Sequence, residues 1–262
     1  MHHNTFRKLS YLVILTALLL TPVLCVAAPA AGKQIQINLS QKVIQISTFY
    51  NGTTLEVKGS VPEDSDALIV VSGPKHDVHL KEKGKVAGFL WMNKTDVSLE
   101  NTPAVYMVYT PEGATEKFLN AETGVGYKAL VNDISIQPES EDKSFIFAEY
   151  VKLMEKSGVY AVNENSIVYG AAAKGMKAFS VTLTIPSKMT PGTYSVKAIA
   201  VQNSTVASET SEVLNLELTG LPATIAKLAY GSPLLFGFMA VFIAIATGLL
   251  IGMIFRGGGG AH

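Results

Sequence analysis

Arginine and cysteine are nearly missing from this chain. Of 262 residues, only Arg7 and Arg256 carry a guanidinium and only Cys25 carries a thiol. Lysine supplies point charges but lacks the planar fork that grips phosphate or carboxylate with two bonds at once. A chain so poor in arginine, with a formal charge of zero, is not built to hold nucleic acid. One cysteine cannot make an internal disulfide, a thiolate metal site or a CxxCH haem attachment, so stability must come from an ordinary apolar core. The catalytic signatures are missing too. There is no G-x-S-x-G, no H-E-x-x-H, no P-loop and no glycine-rich dinucleotide turn, the patterns by which the commonest nucleophilic, zinc and nucleotide chemistries are read from sequence.

What is present begins with two apolar runs. Arg7 and Lys8 precede the uncharged stretch Leu9 to Val26, and small residues Ala27, Ala28, Ala30 and Ala31 follow. Basic, apolar and small residues in that order predict a secretory signal peptide over residues 1–28, cut after Ala27 or Ala28. Pro22-Val23-Leu24 before Cys25 does not fit lipoprotein processing, so the mature chain is expected to hold no cysteine. Removing Arg7 and Lys8 leaves 19 basic against 21 acidic residues, a formal charge of minus two.

The second run is Ser232 to Phe255, with no charge between Lys227 and Arg256. At a rise of about 1.5 Å per residue, the 23 residues from Pro233 to Phe255 reach about 34 Å, enough for a hydrocarbon core of about 30 Å. Thirteen of them are Leu, Ile, Phe or Val, each favouring insertion by roughly 0.3 to 0.6 kcal/mol near mid-membrane. This is the signature of a transmembrane helix over 232–255. Gly231-Ser232-Pro233 forms the joint before it, with proline where a missing N–H costs nothing. Residues 221–231 predict a short segment at the membrane surface with Ile225, Leu228 and Tyr230 toward lipid. Arg256 closes the helix and begins a cytoplasmic tail over 256–262, too short to fold. Ala240, Ala244, Gly248 and Gly252 are spaced by four, a stripe of small residues that predicts a helix packing face.

Between these runs the chain reads as mainly β, with one or two immunoglobulin-like β-sandwich domains and a short helix. In residues 33–112, Ile35, Ile37 and Leu39, then Ile44 and Ile46, then Leu55, Val57 and Val61 alternate with other residues, the period of a half-buried sheet. Asn51-Gly52 predicts a tight hairpin. Ala67 to Val71 is a continuous apolar run expected in a central strand, ended by Ser72-Gly73-Pro74, and Phe89 to Met92 and Val105 to Tyr109 predict two more short strands. Residues 113–130 read as a connector with weak helical content near 116–122. In a second module over 131–220, a helix over 142–156 is expected to bury Phe145, Ala148, Val151 and Met154, with Gly158 at its end. Phe179, Val181, Leu183 and Ile185 then alternate cleanly up to Pro186, and Leu214, Leu216 and Leu218 finish the sheet. In Pro191-Gly192-Thr193-Tyr194, the tyrosine is expected to pack into a sandwich corner and bond backbone.

Candidate chemistry is sparse. Lys81, Lys83 and Lys85 alternate, so a strand puts them on one face where an anionic partner can meet them; an edge strand guarded by lysines against aggregation predicts the same pattern. His76 and His79 flank Asp77, but a strand or loop does not place histidines three apart on one face, and no second ligand cluster exists, so no metal site is assigned. Glu63, Asp64 and Asp66, and likewise Glu139, Glu141 and Asp142, sit beside prolines as solvated turns without an apolar run to raise a carboxylate pKa. No catalytic, cofactor-binding or metal residue is therefore assigned.

The order of IVVSGP, a lysine-rich stretch into AGFLW, PAVYMVYTP, FSVTLTIPSKMTPGTYSV and YGSPLLFGF…IFR, spanning about Gln34 to Arg256, resembles the putative alphaproteobacterial transmembrane protein family of bacterial single-pass envelope proteins. The resemblance implies a topology and brings no catalytic residues. Residues and resemblance together predict a noncatalytic interaction or accessory module of an envelope protein complex. It would be anchored in the bacterial inner membrane with its bulk in the periplasm. Its partners would be the bilayer and an integral transporter or respiratory complex, or a second copy. The alternative is a periplasmic enzyme or small-ligand-binding domain whose site follows no familiar motif.

Overall fold

The computed structural model describes residues 34–255 apart from 87, 114–117, 120–121 and 139–142. The expected signal peptide, Cys25, the tail from Arg256, most of the weak helix at 116–122 and the cluster Glu139, Glu141 and Asp142 fall outside the described residues. The described chain is mainly β with a C-terminal apolar helix. Its strands are β1 (Gln36–Leu39), β2 (Val43–Ile46), β3 (Thr53–Pro62), β4 (Asp66–Ser72), β5 (Lys75–Val86), β6 (Leu90–Pro103), β7 (Tyr106–Tyr109), β8 (Ser135–Gln137), β9 (Tyr160–Asn163), β10 (Ile167–Ala173), β11 (Met176–Ile185), β12 (Gly192–Gln202) and β13 (Thr205–Leu218). Four helices join them: α1 (Tyr127–Asp133), α2 (Lys143–Ser157), α3 (Leu221–Gly231) and α4 (Pro233–Phe255).

The strands form sheets ordered β1-β3-β11-β10, β2-β13-β12-β4-β7-β9 and β5-β6-β8. Early and late strands share both larger sheets: β3 pairs β11 over ten residues and β4 pairs β12 over seven. This corrects the expected division into modules over 33–112 and 131–220. Each half supplies strands whose ladder partners lie in the other, and an unpaired backbone group in a sheet interior costs too much to leave. The core is likewise continuous. Leu55, Val57 and Val61 of β3 and Phe179, Val181, Leu183 and Ile185 of β11 are buried in one cluster with Val196, Ala198 and Ala200 of β12.

Within this frame β4 takes the central position predicted for it, with Ala67 to Val71 all buried, since a strand covered on both faces reads as a continuous apolar run. Asn51-Gly52 does not make the predicted hairpin, because β2 and β3 belong to different sheets. Gly52 instead passes close to the end of β11, where a Cβ would lie 3.0 Å from the Ile185 carbonyl oxygen. The two-residue hairpins are Lys174-Gly175 and Asn203-Ser204, in which all four residues have positive φ, the twist that suits flanking strands. Helix α2 runs Lys143–Ser157, close to the predicted span, but its inner face is Phe147, Tyr150 and Val151, whereas Phe145 is 64% exposed and Ala148 also faces outward. The two large aromatics, three residues apart, bury more surface than Phe145 and Ala148 could. Gly158 ends the helix as expected, its N–H bonding Glu155 O and that of Val159 bonding Met154 O, which satisfies two terminal carbonyls. Tyr194 is buried and its hydroxyl donates to Thr190 O at 2.7 Å, the corner bond predicted from the Pro-Gly-Thr-Tyr entry.

One contact ties β1, β3 and β11 together. Phe179 is the register partner of Gly59, and its ring occupies the space where a Gly59 Cβ would sit, as does the carbonyl of Gln36 on β1. Replacing Gly59 with alanine is therefore expected to destabilise the fold by about 1 to 3 kcal/mol, as overpacking does in tight cores. Denaturant unfolding of the full chain in detergent would read this. A Gly59→Ala midpoint equal to that of the parent would show that β1 and Phe179 yield without cost.

Candidate functional site

Helices α3 and α4 grow directly out of the sheet. Thr219, just after β13, donates its N–H to Ile46 O, and α3 begins two residues later. Pro233 cannot continue the α3 ladder, so the chain breaks at Ser232. There the Ser232 N–H closes α3 on Leu228 O, and the Ser232 carbonyl accepts from Phe236 N–H to open α4. α4 spans Pro233–Phe255 with mean hydropathy 2.6, and none of its residues is buried. It is the one helix among the described residues long and apolar enough to cross a membrane. Ile225 and Tyr230 of α3 are exposed as well, with Leu221, while Leu228 is half-buried. Ala240, Ala244, Gly248 and Gly252 lie on exposed positions of α4, and a Cβ added at Gly248 or Gly252 meets nothing within 4 Å. A neighbouring helix could therefore approach the backbone there.

The lysine segment occupies β5, an edge strand of the small sheet, as the aggregation-guard reading predicts. Alternation along β5 turns Val78 and Leu80 toward the core and puts His79, Lys81, Lys83 and Lys85 on the other face. Lys81 pairs with Asp96 across the ladder at 3.1 Å, both side chains largely exposed, a contact of little energetic worth in water. His76 and His79 line different concavities. His76 lies near Met189 and Tyr194, and His79 near Gln137 and Pro138, while Asp77 accepts from Asn101 N–H. Sequence reasoning missed the tip of this hairpin. Phe89 to Met92 was expected in an ordinary strand, yet Phe89 is 79% exposed, Leu90 51% and Met92 48%. Four apolar residues after the densest lysines in the chain were the available signal.

Compared with family models, residues 34–257 match the family described as Putative transmembrane protein (Alph_Pro_TM). A comparison with curated proteins found no match.

Several partly buried ionisable groups tie elements of the fold together. Asp66 was expected in a solvated turn with Glu63 and Asp64. Those two are exposed, but Asp66 is partly buried, with Lys177 Nζ at 3.0 Å and the Tyr169 hydroxyl at 3.2 Å from its Oδ1. Lys177 also lies over the Tyr169 ring at 4.3 Å, and Tyr169 accepts from Ala67 N–H, so the cluster clasps β10 and β11 to β4 across two sheets. Four more tyrosines meet where α1 and α2 cover β7 and β9. Tyr127 stacks on Tyr160, Tyr150 meets Tyr160 edge-on, Tyr160 donates to Pro103 O, and Tyr106 accepts from Gly126 N–H. Burial raises the pKa of Tyr106, Tyr127, Tyr150 and Tyr160 above the ordinary 10.0. Next to burial, the Glu155 carboxylate pushes Tyr127 further up and Tyr150 does the same for Tyr160. Above pH 10 the unfolded chain releases phenolic protons that the folded chain keeps, so stability is full below that pH and falls as pH rises beyond it. The thermal midpoint of the full chain in detergent is expected to drop above about pH 10, and less steeply in Tyr160→Phe. An equally steep drop in that variant would contradict this assignment.

Proposed function

Because the chain belongs to this family of transmembrane proteins, we propose that it is a single-pass accessory module of a bacterial envelope complex. Its β-sheet body stands in the periplasm, and it works by binding rather than by catalysis. The observation that carries this reading is α4: an uncharged, mostly apolar helix of 23 residues, none buried, joined through α3 to the last strand. A sequence that orders secretory signal, β body, apolar helix and Arg256 supports an inner-membrane protein with its bulk outside the cytoplasm. The described ionisable groups that are partly buried serve as clasps and packing between sheets and helices, which supports a binding role over a reaction. The partner is a membrane-embedded protein, a transporter or respiratory complex, or a second copy, because a helix with an open stripe of small residues can pack in lipid where apolar side chains alone gain little.

The test is association in the membrane. Cross-linking of the full chain in intact cells is expected to capture a discrete integral membrane partner or a second copy. Gly248→Leu with Gly252→Leu should keep insertion but weaken that association by about 1 to 2 kcal/mol, roughly five- to thirtyfold. Capture at wild-type yield by the double variant would remove α4 from the contact. A purified chain that turns over a substrate would overturn the noncatalytic reading.

A further inference from the structure

The long hairpin is rooted in the most buried part of the fold. β4 pairs β7 from Ile69↔Tyr109 to Ser72↔Tyr106, and β5 pairs β6 from Lys75↔Pro103. Between them Gly73 N–H bonds Val105 O and Ala104 N–H bonds Pro74 O, so the ladder passes Gly73-Pro74 without a break in register. The expected strand end at Ser72-Gly73-Pro74 is instead the root of an extension. β8 supports β6 only at Ser98 to Glu100. Beyond it, from Leu80 and Val97 outward, the described residues form a ribbon of two strands, which at about 3.3 Å per residue projects roughly 20 Å. Two-stranded ribbons are marginal in water, and this one ends in exposed Phe89, Leu90 and Met92.

Register also fixes which way the ribbon leaves. Ser195 on β12 faces both Ser72 at the end of β4 and Val213 near the end of β13. The strand that becomes the ribbon and the strand that leads into α3 and α4 therefore leave the six-stranded sheet at the same end. The β12–β13 turn at Asn203-Ser204 lies at the other. Charge separates in the same way. Residues 81–96 contain Lys81, Lys83, Lys85 and Lys94 against Glu82 and Asp96, whereas the rest of 34–255 holds thirteen lysines against nineteen acidic residues. In the ladder Lys85 and Lys83 oppose Trp91 and Asn93, while Leu90 and Met92 oppose Val86 and Gly84. Lys83 and Lys85 therefore lie on one face of the ribbon, and Leu90 and Met92 on the other.

We infer that the tip of this hairpin, Phe89, Leu90 and Met92 with Lys81, Lys83 and Lys85 behind them, docks on the anionic surface of the bilayer that α4 crosses. The inference rests on α4 spanning that bilayer. Apolar side chains at an exposed tip sink into the acyl boundary while lysine stems let their charge reach the phosphates, and each lysine near an anionic surface adds about 1 kcal/mol. Lipid is favoured over protein because the ribbon leaves the sheet at the same end as the strand leading to α4, and because lysine is depleted at protein interfaces.

The test uses the full chain with Cys25→Ser, reconstituted in vesicles of phosphatidylcholine with or without phosphatidylglycerol. An environment-sensitive fluorophore is placed at Asn93→Cys on the ribbon, at Gln202→Cys at the opposite end, or at Phe238→Cys in α4. Lipid-borne quenchers should reach the Phe238 label in both lipids and the Asn93 label in the anionic vesicles, leaving the Gln202 label in water. Replacing Lys81, Lys83 and Lys85 with glutamine should shift the docked fraction by about fivefold per lysine removed, and Phe89→Ser with Leu90→Ser should abolish quenching at Asn93. An Asn93 label that stays in water while the Phe238 label is quenched overturns the inference and leaves the anchor standing. If the Phe238 label is not quenched, the membrane reading of α4 fails. Shielding of Asn93 from a water-soluble quencher without lipid quenching assigns the tip to a protein or a second copy, and overturns the inference as well.

Discussion

No residue of α4 is buried, and its large apolar side chains are 38% to 82% exposed. In water that surface would carry the full hydrophobic cost of thirteen large aliphatic and phenyl side chains; in hydrocarbon the same residues favour insertion and the helix satisfies its own backbone. The rest of the structure depends on this constraint. It fixes the end of β13 near a bilayer, and β13 is hydrogen-bonded to β12, which carries β4 and through it β7. The six-stranded sheet is thus tethered to α4 at the end of β13, through α3 and the break at Ser232.

The sheets are built so that this tether reaches far along the chain. Strands from residues 36–72 and 176–218 pair with each other in both large sheets, so the folded body needs pairings more than 100 residues apart. Such closure is slow but costs little more than a shorter loop once made, since its entropy grows only with the logarithm of length. What it produces is a rigid root for the lysine hairpin. β4 and β7, both buried along their length, continue without a register break into β5 and β6. The ribbon is held by that ladder, and register shifts after His76 and after Glu82 bend it on its way out.

Much of this was legible locally. The apolar run at 233–255, the buried strand at 67–71, the alternation of Phe179 to Ile185, the helix near 143–157 and the role of Tyr194 each rest on spacing within about a dozen residues, where periodicity carries the information. What was not legible depends on residues distant in sequence. Asn51-Gly52 has the composition of a hairpin, but β2 and β3 find better partners in β13 and β11. The inner face of α2 is set by where Tyr150 meets Tyr160 of β9, which buries Phe147 beside it, and periodicity alone preferred Phe145. Asp66 reads as a solvated turn until Lys177, 111 residues later, is brought beside it. Prolines at 74 and 103 look like strand ends and are the bend of a continuous ladder. The site was legible in its charges and not in its geometry, because exposure at Phe89 follows from the ribbon outrunning β8.

The central claim is that α4 crosses a membrane once with the β body on the outer side. A cysteine at Gln202, exposed at the far end of β12, tests it most directly in spheroplasts expressing the full chain with Cys25→Ser. A membrane-impermeant maleimide should modify it in intact spheroplasts as completely as after lysis. Modification only after the membrane is broken would place the body in the cytoplasm and contradict the account.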